Sequence, residues 1–167
     1  MSDKSNTAAE LVPWDPAFRR AFAELNYQWI EQYFEVEEED RKALENPEGY
    51  ALDPGGEIFF VVERSGNQTQ AVGTVAMVPH GQTPEGPVFE LAKMAVHPNC
   101  QGRGYSRLLM EACVAFARSR NAAEIMLVTN DVLAPALGLY RSAGFQLVEM
   151  ADQRYERGNT QMRLPLR

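Results

Sequence analysis

The sequence has 167 residues, 45% of them hydrophobic, and this size and composition favour a single domain with a substantial core. Its 16 basic and 23 acidic side chains give a formal charge of −7, which would repel phosphate backbones, so we expect no nucleic-acid partner. There is no apolar stretch of about 18 residues and no signal-like start, so we expect a cytoplasmic protein with no membrane partner. The two cysteines and two histidines are not clustered, so we expect no bound metal.

The N-terminal region combines a polar tail with the start of a helical segment. Residues 1–8 are small and polar and predict a flexible tail, which leaves residues 9–167 for the domain. A short strand near residues 10–14 is expected to lead into a helix, with Asp15 as a suitable cap and Pro16 in its first turn. Apolar residues then recur every three or four positions and predict that one helix face packs on the core: Phe18, Phe22, Leu25, Trp29 and Tyr33.

An acidic run occupies residues 35–40 and opens a second helical segment that ends near residues 46–49. Its simplest interpretation is a helix face that is exposed to solvent. The alternative interpretation is a surface that attracts a positively charged substrate.

The middle of the chain predicts a sheet. Residues 57–63 and 71–78 are strand-like and flank a turn at residues 65–68, which indicates an antiparallel hairpin. A third strand is predicted for residues 88–96, where it stops at a His-Pro pair.

The second half of the chain predicts two more helices and three more strands. The first helix begins near Tyr105. It is followed by a buried strand over residues 124–129, a short helix over residues 135–142 and terminal strands from Phe145. The complete predicted order is β-α-α-β-β-β-α-β-α-β-β. The first of these two helices carries an apolar stripe, which makes Cys113 a core residue: Tyr105, Leu108, Leu109, Ala112, Cys113 and Phe116.

The loop before Tyr105 has the features of an anion-binding site. It carries Gly102 and Gly104 and opens directly into a helix, whose first N–H groups have no partner inside the helix and whose dipole favours a negative charge. A pyrophosphate could dock there. The P-loop motif is excluded because Gly104 is not followed by Lys-Ser/Thr, and the dinucleotide-binding motif is excluded because Arg107 stands at its third glycine position.

The loop resembles motif A of the GNAT N-acetyltransferases, Q/R-x-x-G-x-G/A, over residues 101–106, except that Ser106 stands where the family usually has Gly or Ala. Residues 94–98 resemble the strand end before motif A, and Asn130 with residues 136–145 resembles motif B. The resemblance implies the GNAT fold, an α/β (α+β) architecture with a mixed, mostly antiparallel, twisted sheet of six to seven strands. The sheet is flanked by about four helices and splayed beside Val96 to admit the cofactor.

The same resemblance implies acetyl-CoA as co-substrate and a small-molecule or peptide amine as acceptor, with direct transfer in a ternary complex. A homodimer is a further possible assembly that the resemblance leaves open. The implied cofactor-binding residues are Met94, Ala95, Val96, Gln101, Gly102, Arg103, Gly104, Tyr105, Ser106, Arg107, Asn130 and Leu137. The implied acceptor-binding residues are Trp29, Tyr33 and Phe34.

Three residues are implied in catalysis. The Val96 N–H would polarise the thioester carbonyl, Glu90 would be the general base and Tyr140 the general acid. Glu90 has an alternative interpretation as a structural carboxylate paired with a neighbour such as Lys93, and Tyr140 has one as a packed aromatic.

Strand alternation adds an expectation about geometry. Without a bulge, Glu90 shares a strand face with Ala92, Met94 and Val96. Lys93 then lies on the opposite face with Phe89, Leu91 and Ala95, where we expect it to be structural and paired with an acid or extended towards solvent.

Some alternatives remain open. Asn130 has an alternative interpretation as a turn residue, and Cys100 is expected to be an exposed loop residue. The function itself has two rivals: a transferase that uses a longer acyl-CoA or a protein acceptor, and a CoA-binding sensor or interaction module without turnover.

Overall fold

The computed structural model describes residues 7–149 and 158–167. Within those ranges the chain forms seven strands and four α-helices, and their order and mixed α/β class confirm the prediction. In chain order the elements are β1 (Thr7–Pro13), α1 (Arg19–Tyr33), α2 (Glu38–Glu45), β2 (Glu57–Ser65), β3 (Gln68–Thr83), β4 (Gly86–Val96), α3 (Tyr105–Ser119), β5 (Glu124–Thr129), α4 (Ala134–Ser142), β6 (Gln146–Val148) and β7 (Thr160–Pro165). No helix within the described ranges is both long and apolar enough to cross a membrane.

The start of the domain differs slightly from the prediction. β1 begins at Thr7 and pairs with β2 from that residue on, so residues 7 and 8 belong to the sheet and not to the tail. The remainder of the predicted tail lies outside the described residues. Before α1, the Asp15 carboxylate accepts a hydrogen bond from the Ala17 N–H at 2.9 Å, which confirms the predicted cap.

The seven strands form one sheet in the order β1-β2-β3-β4-β5-β7-β6. Neighbouring strands are antiparallel except β4 and β5, which are parallel. The β4–β5 pairing joins Val88–Glu90 to Glu124–Met126 and does not continue along the described parts of either strand. The two strands therefore diverge after Glu90, and this divergence is the predicted splay of the sheet.

A β-bulge in β4 lies just after this divergence. Ala92 is opposite Ala76 and Ala95 is opposite Thr74, so Lys93 and Met94 together face the single residue between Thr74 and Ala76. Lys93 has a φ of 56°, in the left-handed region that non-glycine residues rarely adopt.

The bulge makes the predicted strand alternation wrong. Phe89 packs edge-to-face on Phe116 of α3, with ring centroids 5.1 Å apart, and Val96 belongs to the same core cluster. Glu90, next to Phe89, therefore lies on the other face of the sheet from Val96. The extra residue at the bulge reverses the side-chain alternation between Glu90 and Val96, and it moves Lys93 away from the face of Phe89.

Two apolar clusters cover the two faces of the sheet. α3 and α4 pack on one face, with fully buried side chains such as Leu109 and Cys113, and the burial of Cys113 confirms its predicted core position. α1 and α2 pack on the other face through Phe22, Ile30 and Leu44. Burying one large side chain of this kind stabilises a fold by about 1.5–3 kcal/mol, so these clusters hold the diverging strands in place.

Candidate active site

The divergence of β4 and β5 opens a cavity of about 110 Å³. Because the strands part here, side chains from both faces of the sheet reach one space. Its walls come from α1, β4, β5, α4, their ends and the residue before β7: Asn26, Trp29, Ile30, Phe34, Glu90, Leu91, Ala92, Lys93, Met94, Leu127, Val128, Thr129, Asn130, Leu133, Ala136, Tyr140 and Gly158.

Glu90 lies at the apex of this cavity, as the last β4 residue that pairs with β5. It is 4% exposed, so its carboxylate faces the cavity and the α1 side rather than bulk solvent. Asn26 of α1, also buried, lines the same cavity and donates from Nδ2 to the Phe22 carbonyl at 2.9 Å. Sequence reasoning missed Asn26, although a polar residue four positions after Phe22 on an apolar helix face was a usable signal.

Tyr140 reaches the cavity from α4. Its side chain is buried, and its ring lies 5.9 Å from that of Phe145. Burial, followed by the proximity of Cys113, raises the pKa of Tyr140 to about 12. The hydroxyl is therefore protonated throughout the neutral range.

A buried ion pair closes one side of the cavity. Lys93 Nζ donates to Asp40 Oδ1 of α2 at 2.8 Å, which confirms that Lys93 pairs with an acid. The second carboxylate oxygen of Asp40 accepts the Glu37 N–H at 2.8 Å and so caps α2. The interpretation of the acidic run as solvated is wrong for Asp40, which is 0% exposed, because this residue forms the cap and the ion pair at once.

The aromatic residues of the predicted acceptor site divide into two groups. Trp29 and Phe34 line the cavity. Tyr33, the last residue of α1, is not among the residues that line the cavity, and it is 49% exposed. Its ring centroid lies 5.6 Å from that of Trp29.

Val96 follows the bulge at the end of β4. It is opposite Gly73 of β3, while the next amide, His97 N–H, donates to the Val72 carbonyl at 2.8 Å. Successive amides along a strand point to opposite edges. The Val96 N–H is therefore directed away from β3, towards the edge from which β5 has diverged.

The glycine loop between β4 and α3 has an open backbone. Gly102 and Gly104 have φ values of 84° and 82°, and a Cβ at either position would meet no atom within 4 Å. Gly104 is the N-cap residue of α3 and contributes no side-chain cap, and the first helical bond runs from Leu108 N–H to the Gly104 carbonyl. The N–H groups of the first helical turn are therefore available to an anion.

A side-chain network anchors this loop to β2. Arg103 Nη1 donates to Glu63 Oε2 at 2.6 Å, and the Tyr105 hydroxyl donates to the same oxygen. Cys100 is buried rather than exposed as predicted, and its thiol lies 3.8 Å from Glu63 Oε1. Burial and the neighbouring Glu63 raise the pKa of Cys100, which disfavours the reactive thiolate. Sequence reasoning missed Glu63, because a glutamate in a hairpin strand carries no signal for this role.

Two further predicted cofactor residues occupy structural positions. The Asn130 Oδ1 accepts the Val132 N–H at 2.9 Å, in agreement with the interpretation as a turn residue, and Asn130 also lines the cavity. Leu137 is buried in the core cluster of α3 and is not among the residues that line the cavity.

Sequence comparison identifies related proteins. A model of the acetyltransferase (GNAT) family matches residues 22–145. Mycothiol acetyltransferase of Acidothermus cellulolyticus is 35% identical over 117 residues, which cover 65% of this chain and 35% of that protein. N-acetyltransferase family 8 member 2 of Rattus norvegicus is 33% identical over 89 residues, which cover 53% of this chain and 38% of that protein. The matched parts thus span less than two fifths of either relative.

Solved structures share the fold. A GNAT-family acetyltransferase of Staphylococcus aureus aligns with a TM-score of 0.82 at 18% identity, over 96% of this chain and 100% of that chain. The yncA protein of Salmonella typhimurium, solved with its cofactor acetyl-CoA, aligns with a TM-score of 0.71 at 19% identity, over 96% and 95% of the two chains. Because the family model spans well over half of the sequence, from α1 to the end of α4, the chain belongs to the acetyltransferase (GNAT) family, as its motifs indicated.

Proposed function

We propose that this domain transfers an acetyl group from acetyl-CoA to an amine by direct attack in a ternary complex. One observation carries the proposal: Glu90 and Tyr140, from opposite faces of the sheet, line the same cavity where β4 and β5 diverge. The Val96 N–H, directed to the same open edge, supplies a third group that could act on a thioester.

The bound co-substrate would supply an activated acyl group, and the chain would hold it by its backbone. The pantetheine arm would enter between the diverging strands and pair with residues 94–96 of β4. The pyrophosphate would lie on the amides of residues 101–107 at the N-terminus of α3, where the two glycines leave room for close approach.

The chemistry requires a neutral amine, because an ammonium has no lone pair with which to attack. Glu90, buried at the apex of the cavity, would take one proton from the ammonium, directly or through a water molecule, and pass it to solvent. The amine nitrogen then bonds to the carbonyl carbon and the carbon–sulfur bond breaks. The second proton, lost as the amide forms, ends on the CoA sulfur.

The Val96 N–H would stabilise the oxyanion that develops on the carbonyl oxygen. A fixed backbone donor of this kind typically lowers a barrier by about 3–4 kcal/mol. The donor is fixed here because Val96 is held in the ladder with Gly73. The bulge at Lys93 and Met94 sets the strand direction just before this amide.

Tyr140 would act as a hydrogen-bond donor to the departing sulfur. With a pKa of about 12, its hydroxyl is protonated at neutral pH and can donate to the sulfur. The hydrogen bond from this hydroxyl would strengthen as the sulfur becomes negative. The predicted role of Tyr140 as general acid, which protonates the departing thiolate, stays part of the proposal.

The acceptor would be a positively charged amine. Trp29 and Phe34 offer ring surfaces to a cation at the cavity wall. A groove beyond Phe34 carries Glu31, Glu35 and Glu45, with Arg41 as its one basic lining residue among those described, so the field there favours a cation. A small-molecule amine and a peptide amine both fit this description.

Thermal unfolding with and without acetyl-CoA, followed by a thiol-release screen of polyamines, amino acids, aminoglycosides and peptide N-termini, tests the proposal. Saturation at about 100 times the dissociation constant should stabilise the fold by roughly 2.7 kcal/mol and raise the melting temperature by several degrees. A shift without thiol release from any amine would support the CoA-binding module instead. Absence of a shift would refute the cofactor assignment.

A further inference from the structure

Glu63 accepts hydrogen bonds from Arg103 and Tyr105, and this Glu63 network holds the glycine loop at two positions. Arg103 stands between the two left-handed glycines, and Tyr105 is the first residue of α3. Both side chains donate to the same oxygen of Glu63, which is 14% exposed and belongs to β2, 40 residues earlier in the sequence. The loop is thus tied to the sheet by a single carboxylate.

This tie matters because the loop has few other restraints. The two glycines lose more conformational entropy on ordering than other residues, and no atom lies within 4 Å of where their side chains would be. If a loop becomes ordered only when its ligand binds, the free-energy cost of ordering reduces the affinity for the ligand. A loop that is already ordered before binding avoids this cost.

We propose that Glu63 is a positioning residue for coenzyme binding, which holds Arg103 and Tyr105 so that the amides of residues 101–107 are arranged for a pyrophosphate before it binds. This inference rests on the proposed function. It also assigns the Arg103 guanidinium to Glu63, so that backbone amides and not Arg103 receive the phosphates, and Arg103 in turn neutralises the Glu63 carboxylate.

The opposite role for Glu63 makes a different prediction. If Arg103 itself bound the pyrophosphate, Glu63 would compete for it, and removing the Glu63 charge would tighten coenzyme binding. Under the proposed role the same change loosens the loop and weakens binding. The direction of the change therefore separates the two.

The test compares dissociation constants of acetyl-CoA, measured by calorimetry, for the wild type, Glu63→Gln and Arg103→Met. Glu63→Gln keeps an oxygen that accepts from Tyr105 but loses the ion pair, and we expect about tenfold weaker binding. Arg103→Met breaks the same contact from an exposed side chain, but it would weaken binding under either role. Glu63→Asp draws the carboxylate back from Arg103 and Tyr105, so it should weaken binding under the proposed role and tighten it under the opposite one. It therefore keeps the test valid if Glu63→Gln is too unstable to purify. The double variant should be no weaker than the more affected single variant.

Two controls separate loop positioning from general stability. Arg64→Met breaks the pair between Arg64 and Glu10 at 3.3 Å, one residue further along β2, in side chains that are 58% and 55% exposed, and it should leave the acetyl-CoA dissociation constant unchanged. S-acetylpantetheine lacks the pyrophosphate, so its affinity, measured by competition, should be the same in the wild type and in Glu63→Gln.

The outcomes are distinct. Weaker acetyl-CoA binding in Glu63→Gln with unchanged S-acetylpantetheine binding supports the inference. Equal or tighter acetyl-CoA binding in Glu63→Gln, or an equal loss for both ligands, overturns it while the proposed function stands. A wild type that does not bind acetyl-CoA overturns the proposed function and this inference with it.

Discussion

Lys93 Nζ and Asp40 Oδ1 lie 2.8 Å apart in side chains that are 6% and 0% exposed, and together they join the bulge of β4 to the first turn of α2. Two features that cost free energy coincide at Lys93, since it also holds a left-handed φ of 56°. The pair fixes the side of the cavity that faces α2, next to the Glu90 apex.

Removing one member of this pair should destabilise the fold strongly. Lys93→Met leaves Asp40 buried without its cationic partner, and we expect the free energy of unfolding to fall by about 3–5 kcal/mol. Lys93→Met combined with Asp40→Asn should recover most of the loss, because an asparagine at residue 40 can still accept the Glu37 N–H. Urea denaturation of the three proteins measures both effects.

The same helix offers a matched control. Lys42 pairs with Glu39 at 3.2 Å in side chains that are 63% and 44% exposed, so Lys42→Met should change the free energy of unfolding by less than about 1 kcal/mol. If Lys93→Met were no more damaging than Lys42→Met, the buried pair would not hold α2 against the sheet.

Contacts between residues that are far apart in the sequence could not be predicted, whereas local structure could. The order of the elements was predictable because each helix and strand carries its own periodic pattern, and the glycine loop was predictable because its residues are contiguous. The Lys93–Asp40 and Arg103–Glu63 pairs join residues 53 and 40 positions apart, and nothing in the local sequence links them.

The bulge in β4 is the other feature that the sequence did not reveal. Bulges with a left-handed residue usually carry glycine there, and this position has Lys93. The strand pattern therefore appeared regular, which put Glu90 and Val96 on the same face. The catalytic roles of Glu90, Val96 and Tyr140 and the acceptor role of Trp29 stay predictions.

Glu90→Gln tests the general-base role. The amide has the same shape but cannot take up a proton at neutral pH, so we expect kcat with the best amine from the screen to fall about 10²- to 10⁴-fold. The dissociation constant of acetyl-CoA should stay within about twofold, because the proposed coenzyme contacts lie after Glu90 along β4 and in the glycine loop. An unchanged kcat would instead assign Glu90 a purely structural role.

Tyr140→Phe tests the role of Tyr140 as donor to the departing sulfur. Loss of one hydrogen bond to a developing thiolate should lower kcat by about ten- to a hundredfold, with little change in acetyl-CoA affinity. Since the Tyr140 pKa is about 12, its hydroxyl stays almost entirely protonated at pH 9. The pH profile of kcat should therefore have the same shape in the wild type and in Tyr140→Phe up to pH 9. A decrease of kcat with rising pH below pH 9 that is present in the wild type and absent in Tyr140→Phe would contradict this role.

Acid titration tests the Glu63 network independently of any ligand. Burial raises the pKa of Glu63, but the hydrogen bonds from Tyr105 and Arg103 outweigh it, so the net pKa lies below its ordinary value. A carboxyl whose pKa is lower in the folded than in the unfolded chain contributes stability above the unfolded value of about 4.3, and this stability is lost as the pH falls through the folded value. The melting temperature of the wild type should thus fall more steeply between about pH 5 and pH 3 than that of Glu63→Gln, which has no carboxyl to protonate. Arg64→Met, which keeps the network intact, should follow the wild type. Parallel curves for all three proteins would mean that the network does not hold Glu63 as a carboxylate with a lowered pKa.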